Sequence, residues 1–184
     1  MPQETIHPDS SGIWVFGYGS LIWKPPPQYE SRIVGYIKGY VRRFWQHSED
    51  HRGTPEKPGR VVTLLPYEQW KNSGDEHGHD GITWGVVFKI PSDDVETTRA
   101  YLDHREKALV YIATEDNEAY VGFAPAKEIA QQIHDTYGPS GWNAEYLLEL
   151  ADALREIAPQ HRDEHIEELA LLVKELIQNS SKDS

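Results

Sequence analysis

The chain has 184 residues, 38 % of them hydrophobic and 26 % charged, which is enough apolar material for one globular domain and too much for a disordered chain. Its 18 basic and 30 acidic residues leave a formal net charge of −12, which opposes a nucleic-acid partner, and the lack of cysteine excludes a disulfide framework and thiol chemistry. No apolar run approaches membrane-spanning length and residues 1–12 lack an apolar signal region, so a cytoplasmic protein is expected.

Residues 1–12 read as a polar lead-in, 13–178 as one domain and 179–184 as a polar, disordered tail. Residues 13–16 form an apolar run that suits a buried strand. Gly17-Tyr18-Gly19-Ser20 breaks it, and the prolines at 25–27 forbid a helix there. Strands are expected at 33–38 and 41–45 around Gly39, at 61–65, and at 82–90 up to Pro91. Between them lie a Pro- and Gly-rich loop at 48–59 and a polar insertion at 71–81, read as a surface loop.

The second half changes character. Ser92 with Asp93 and Asp94 opens a helix that runs to about Arg105, with Val95, Thr98 and Leu102 on one face. Short strands are expected at 111–114 and 119–123. A helix follows Pro125 and runs to Tyr137, where Gly138-Pro139 stops it. Asn143 is expected to cap the next helix, which carries Tyr146, Leu147, Leu150, Leu154 and Ile157. A last helix carries Ile166, Leu169, Leu172, Val173 and Leu176. Strands followed by helices predict an α+β fold with a mixed or antiparallel sheet or small barrel and flanking helices. No apolar stripe is left over once the three C-terminal helices pack, so a monomer is expected.

Several groups carry possible chemistry. Gly17-Tyr18-Gly19-Ser20-Leu21 reads either as a tight turn or as a nest of N–H groups for a carboxylate or an oxyanion. Glu106, at a predicted helix end where the dipole disfavours a carboxylate, reads either as a surface charge or as a placed acid/base. Arg52 and Arg60 flank a loop that can clamp carboxylates or simply be a charged loop. His77, His79 and Asp80 offer zinc ligands but no full set, and a solvated loop fits them better. Asn143 and Tyr146 can serve as cap and core, or line a cleft.

Taken together and in order, these segments resemble a known family. Trp14-Val15-Phe16-Gly17-Tyr18-Gly19-Ser20-Leu21-Ile22-Trp23 looks like the opening motif of the glutathione-specific γ-glutamylcyclotransferases, the ChaC family. Arg42-Arg43-Phe44-Trp45-Gln46, Asp50-His51-Arg52-Gly53, Pro58-Gly59-Arg60-Val61-Val62-Thr63-Leu64, Tyr101-Leu102-Asp103-His104-Arg105-Glu106-Lys107, Tyr111-Ile112-Ala113-Thr114 and Gly138-Pro139-Ser140-Gly141 follow in the family's order. The resemblance covers roughly residues 13–178. It implies a small β-barrel with flanking helices, no metal and no cofactor. It also implies cleavage of glutathione to 5-oxoproline and cysteinylglycine. By the same resemblance Tyr18, Gly19, Ser20 and Leu21 hold the γ-glutamyl group and Glu106 is the catalyst, with Arg60 and Tyr120 as further substrate-binding residues. Two departures stand out: the 71–81 insertion, and a short passage from Lys107 through Ala108-Leu109-Val110 into Tyr111, where the family places an additional hairpin. The alternatives are a general γ-glutamyl-amino-acid cyclotransferase and a non-catalytic γ-glutamyl-binding module.

Overall fold

The apolar runs separated by glycine and proline become strands. The computed structural model describes residues 12–106 and 117–182, and of residues 103–106 the backbone alone. The strands are β1 (Gly12–Gly17), β2 (Ser31–Lys38), β3 (Tyr40–Ser48), β4 (Gly59–Pro66) and β5 (Ile82–Pro91). β5 lies between β1 and β2 and is antiparallel to both, with Val15 opposite Phe88 and Ile33 opposite Val87. β3 and β4 form a second antiparallel pair. Among the described residues these are open sheets rather than a closed ring. Side chains and turns join them: Gly39 N–H donates to Gly81 O (2.7 Å) and Thr83 Oγ1 to Tyr40 O (2.8 Å).

The helices are α1 (Tyr67–Trp70), α2 (Val95–Glu106), α3 (Ala126–Asp135), α4 (Asn143–Ile157) and α5 (Glu164–Ser180). Each of the last three turns an apolar stripe inward: Ile129 and Ile133 from α3, Leu147 and Leu150 from α4, Leu169 and Val173 from α5. They meet Val41, Phe44, Trp45, Leu65, Val86 and Phe88 from the sheets in one continuous core. No helix among the described residues is long and apolar enough to cross a membrane.

The structure corrects several expectations. Residues 119–123 are not a strand. Tyr120 makes a single bridge to Gln46, because Gly122 at φ 69° and Pro125 break the extended run. The segment 111–114 lies outside the described residues, as do 1–11, 107–116 and 183–184. α3 ends at Asp135 rather than Tyr137, since Thr136 turns extended and Tyr137 and Gly138 form β6, paired with β7 (Gly141–Trp142). Asn143 is the first helical residue of α4 rather than its cap, and its amide is spent on another strand. α5 runs past residue 178 to Ser180, where the Ser180 and Ser181 hydroxyls bond to carbonyls of the last turn. The 71–81 segment is not only a surface loop, because it sends Asp75 inward to a buried arginine.

Candidate active site

The loop after β1 opens a cavity of about 450 Å³, with Tyr18 and Ser20 on its wall. Residues 20–22 wind into one 3₁₀ turn, in which Ile22 N–H donates to Gly19 O (3.0 Å) and Trp23 N–H to Ser20 O (3.2 Å). The first N–H groups of such a turn point out of it, toward whatever lies ahead. Gly19 is required by close approach. A Cβ there would lie 2.9 Å from Tyr146 Oη and 3.0 Å from Val62 Cγ2, and both residues line the cavity. Leu21 instead packs against the core.

Arg42 holds this loop from behind. Its Nη1 donates to Tyr18 O and to Trp84 O, both at 2.9 Å. Its Nε and Nη2 donate to Asp163 Oδ2 at 3.2 and 3.0 Å. Asp163 is the N-cap of α5 and accepts from Ile166 N–H through Oδ1 (3.4 Å). Burial pushes the Asp163 carboxyl up, but Arg42 and Arg43 outweigh it and hold the group below the usual carboxylate range. One helix start thus fixes an arginine, and the arginine fixes the loop carbonyl.

The opposite wall comes from β3, β4 and the loop between them: Gln46, His47, Ser48, Val61 and Val62. The β3–β4 register slips between Arg43 and Gln46, which puts an extra residue in β3 and re-aims the strand end toward the cavity. Burial, then the Arg60 charge, pushes His47 below the ordinary histidine range, so it stands neutral at pH 7.

Arg52 completes this wall. Its backbone N–H donates to Ser48 Oγ (3.0 Å) and its Nη1 to Trp142 O (2.9 Å). Its guanidinium stacks on Tyr146, 5.6 Å from the ring centroid. The β6–β7 turn braces the 51–53 loop at van der Waals distance. A Cβ at Gly138 would lie 2.2 Å from His51 O, and Ser140 N–H donates to that carbonyl (2.9 Å). Tyr146 itself is wedged between Trp23 and Phe44, at 5.6 and 5.8 Å between ring centroids.

α2 supplies Tyr101 to the cavity and ends at Glu106, whose side chain lies outside the described residues. The structure therefore brings Tyr18 and Ser20 to the cavity together with Arg52, with Gly19 packed behind them against Tyr146 and Val62, and brings the helix that carries Glu106 beside them. It does not bring Arg60 or Tyr120 to the cavity wall. The Arg60 guanidinium donates to Gln132 Oε1 (2.7 Å) and Phe44 O (3.3 Å), binding α3 to β3. Tyr120 is half-buried beside Gln46, with its hydroxyl pushed up by burial. Gln46 and Tyr101 enter the sequence reading only as ends of two family-like segments, and His47 and Ser48 do not enter it as candidates. The available signal for His47 and Ser48 is that they directly follow the Arg42–Gln46 segment.

His77 and His79 lie in a different cluster. His77 Nδ1 pairs with Asp75 Oδ1 (3.0 Å) and Nε2 with Glu168 Oε2 (2.5 Å), and the Asp75 hydrogen bond raises its pKa. His165 sits beside it, 2 % exposed, its Nε2 accepting from Phe44 N–H (3.1 Å). Asp75, His77 and His165 are close enough to share a metal ion. Yet Asp75 already accepts from Arg43 and Trp70, and both His77 nitrogens face carboxylates, the pattern of an ion-pair network.

A family model described as ChaC-like protein matches residues 13–109 and 107–176. This chain belongs to the ChaC-like protein family. A glutathione-specific γ-glutamylcyclotransferase of Schizosaccharomyces pombe is 40 % identical over 203 aligned positions, covering 97 % of this chain and 100 % of the relative. Glutathione-specific γ-glutamylcyclotransferase 1 of Danio rerio is 42 % identical over 188 positions, covering 90 % of each chain. The crystal structure of a yeast γ-glutamylcyclotransferase specific to glutathione superposes with a TM-score of 0.78 at 37 % identity, covering 90 % of this ChaC-like chain and 99 % of the other. The two matched stretches of the family model meet at 107–109, and the S. pombe alignment is longer than the 184 residues here.

Proposed function

We propose that this ChaC-like protein is a glutathione-specific γ-glutamylcyclotransferase that converts glutathione to 5-oxoproline and cysteinylglycine. The observation that carries the reading is the meeting of the Tyr18–Ser20 loop, the buried Arg52 and helix α2 around one cavity, in a chain whose relatives carry that name.

The reaction is an intramolecular aminolysis. The α-amine of the γ-glutamyl group attacks its own side-chain carbonyl, a five-membered lactam closes, and the C–N bond to cysteinylglycine breaks. Nucleophile and electrophile share one molecule, so the enzyme's task is to fold the substrate and move protons. Glu106 takes a proton from the ammonium and returns it to the departing nitrogen, a step worth on the order of 10² to 10⁴ in rate. The outward N–H groups of the Tyr18–Leu21 turn receive the substrate's negative oxygens. No metal or cofactor takes part in this sequence of steps. The barrel of the family is our finer reading of the fold, with the β1-β5-β2 and β3-β4 sheets as two of its walls. A monomer acting in the cytoplasm on a small molecule, without nucleic acid, stays the expectation drawn from the sequence.

The test is 5-oxoproline release from glutathione by the wild-type protein and by Glu106→Gln. We expect turnover in the first and loss of at least about a hundredfold in kcat in the second, with an unchanged melting temperature. Near-normal turnover in the variant would refute the assignment of Glu106.

A further inference from the structure

The cavity holds one buried cation that the reaction steps leave without a role. Arg52 is 7 % exposed and lines the cavity. Among the described residues its guanidinium is engaged only through Nη1, by Trp142 O (2.9 Å) and, more distantly, by Glu145 Oε2 (3.8 Å), a largely exposed carboxylate. Among the described residues no acceptor bonds to its Nε or Nη2, and neither nitrogen is sealed off as Arg43 Nη2 is. The other basic groups on the wall serve less well. Lys24 has a half-exposed side chain paired with Glu149 at 3.9 Å, His47 is held neutral by burial, and His51 Nδ1 is paired with Ser140 Oγ (3.3 Å).

Tyr146 relates Arg52 to the γ-glutamyl loop. Its hydroxyl lies against Gly19, while its ring carries the guanidinium, so loop and cation stand at two ends of one side chain. Glutathione has a matching layout. One carboxylate belongs to the γ-glutamyl end, and the other ends the glycine, two residues beyond the scissile carbonyl and about 7 Å away in an extended chain. A rigid guanidinium with two unfilled donors, already desolvated and stacked, suits that second carboxylate.

We propose that Arg52 binds the glycine carboxylate of glutathione and so selects the tripeptide over γ-glutamyl compounds that lack an anion at that distance. The proposal rests on the glutathione reading of the cavity. Glutathione and its C-terminal glycinamide are compared on wild type, Arg52→Gln and Arg52→Lys, with kcat and KM separated. On wild type the glycinamide should show a KM about ten- to a hundredfold higher, the worth of one charge-assisted pair. Its kcat should stay within about threefold. Arg52→Gln should give the same raised KM with both substrates, and Arg52→Lys, which keeps the charge without the fork, should restore part of the preference.

Equal KM for acid and amide on wild type overturns the proposal, and that comparison needs no variant to fold. An Arg52→Gln enzyme that raises KM yet keeps the full preference for the acid also overturns it, since a merely structural arginine would behave that way. So does a result in which the preference lost concerns the γ-glutamyl α-carboxylate, tested with the α-amide. If wild type releases no 5-oxoproline from glutathione, the reaction reading fails by itself. Calorimetric binding of the same two tripeptides then decides for Arg52. A preference for the acid that vanishes in Arg52→Gln upholds it, and equal affinities reject it.

Discussion

Gly19 shows how little room the site leaves. Its missing side chain lets the loop backbone lie against Tyr146 and Val62, and Tyr146 is held by Trp23 and Phe44 and cannot swing aside. Gly19→Ala should therefore push the loop and the ring apart, lowering kcat/KM by about tenfold or more while the melting temperature shifts by only a few degrees. Steady-state kinetics beside thermal melting separates the two effects, and full activity would show that the loop is softer than its packing implies. At this scale the sequence was legible wherever the chemistry is local. The break after Phe16 and the turn from Tyr18 to Ser20 follow from glycine spacing alone. Nothing in Arg60's neighbours in the chain reveals that Gln132 and Phe44 O take its guanidinium.

At the scale of elements, side chains with two functional ends fasten helices to strands. Asn143, fully buried at the start of α4, accepts from Arg60 N–H (2.7 Å) and donates to Arg60 O (2.8 Å), standing in for a neighbouring strand along the edge of β4. Asn143→Ala would leave a buried N–H and a buried carbonyl unpaired and should cost about 2–4 kcal/mol. Asn143→Asp, which can accept but not donate, should be no better. Denaturant unfolding of the three proteins checks this, and a loss below about 0.5 kcal/mol in the alanine variant would mean that water replaces the amide. Helix starts after Pro91 and Pro125 and the inward faces of α4 and α5 could be read from spacing, since propensity and the 3.6-residue period are local properties. The β3 slip and the β6–β7 pair could not, because each answers to a partner strand rather than to its own residues.

On the scale of the whole molecule, the polar network joining β3, the 71–81 segment and α5 should set how stability varies with pH. The β3 slip leaves Phe44 N–H to be taken by His165, which burial, then the Arg43 charge, pushes down to about 3. The unfolded chain takes up a proton there below about pH 6.5 and the folded chain only below about 3. Between those values the unfolded state binds more protons, so stability falls as pH drops through that window. His47 and His79, also lowered, act in the same sense, while Asp75 and Asp163 add their losses only below about pH 4. His77 acts oppositely. Its pKa is raised by Asp75, so its contribution is complete below about 6.5 and is lost as pH rises through the raised value. The melting temperature should therefore peak near the ordinary histidine pKa. His165→Gln should flatten the limb between pH 6 and 4, and His77→Asn the limb above 7. A scan in which neither substitution changes its limb would reject this account.

The sequence by itself determined the α+β order of elements, the glycine-bounded loop after β1, the polar turns and the family resemblance carried by motifs along nearly the whole chain. Each of these depends on residues close together in the chain, where backbone sterics, capping and periodicity act. Only the tertiary structure decided that Arg42 links Asp163 to the Tyr18 carbonyl, that Asn143 serves β4 and that Arg52 stacks on Tyr146 beside the loop. Those pairings come from distant segments and are set by how one shared core lets strands and helices pack, which no local pattern encodes.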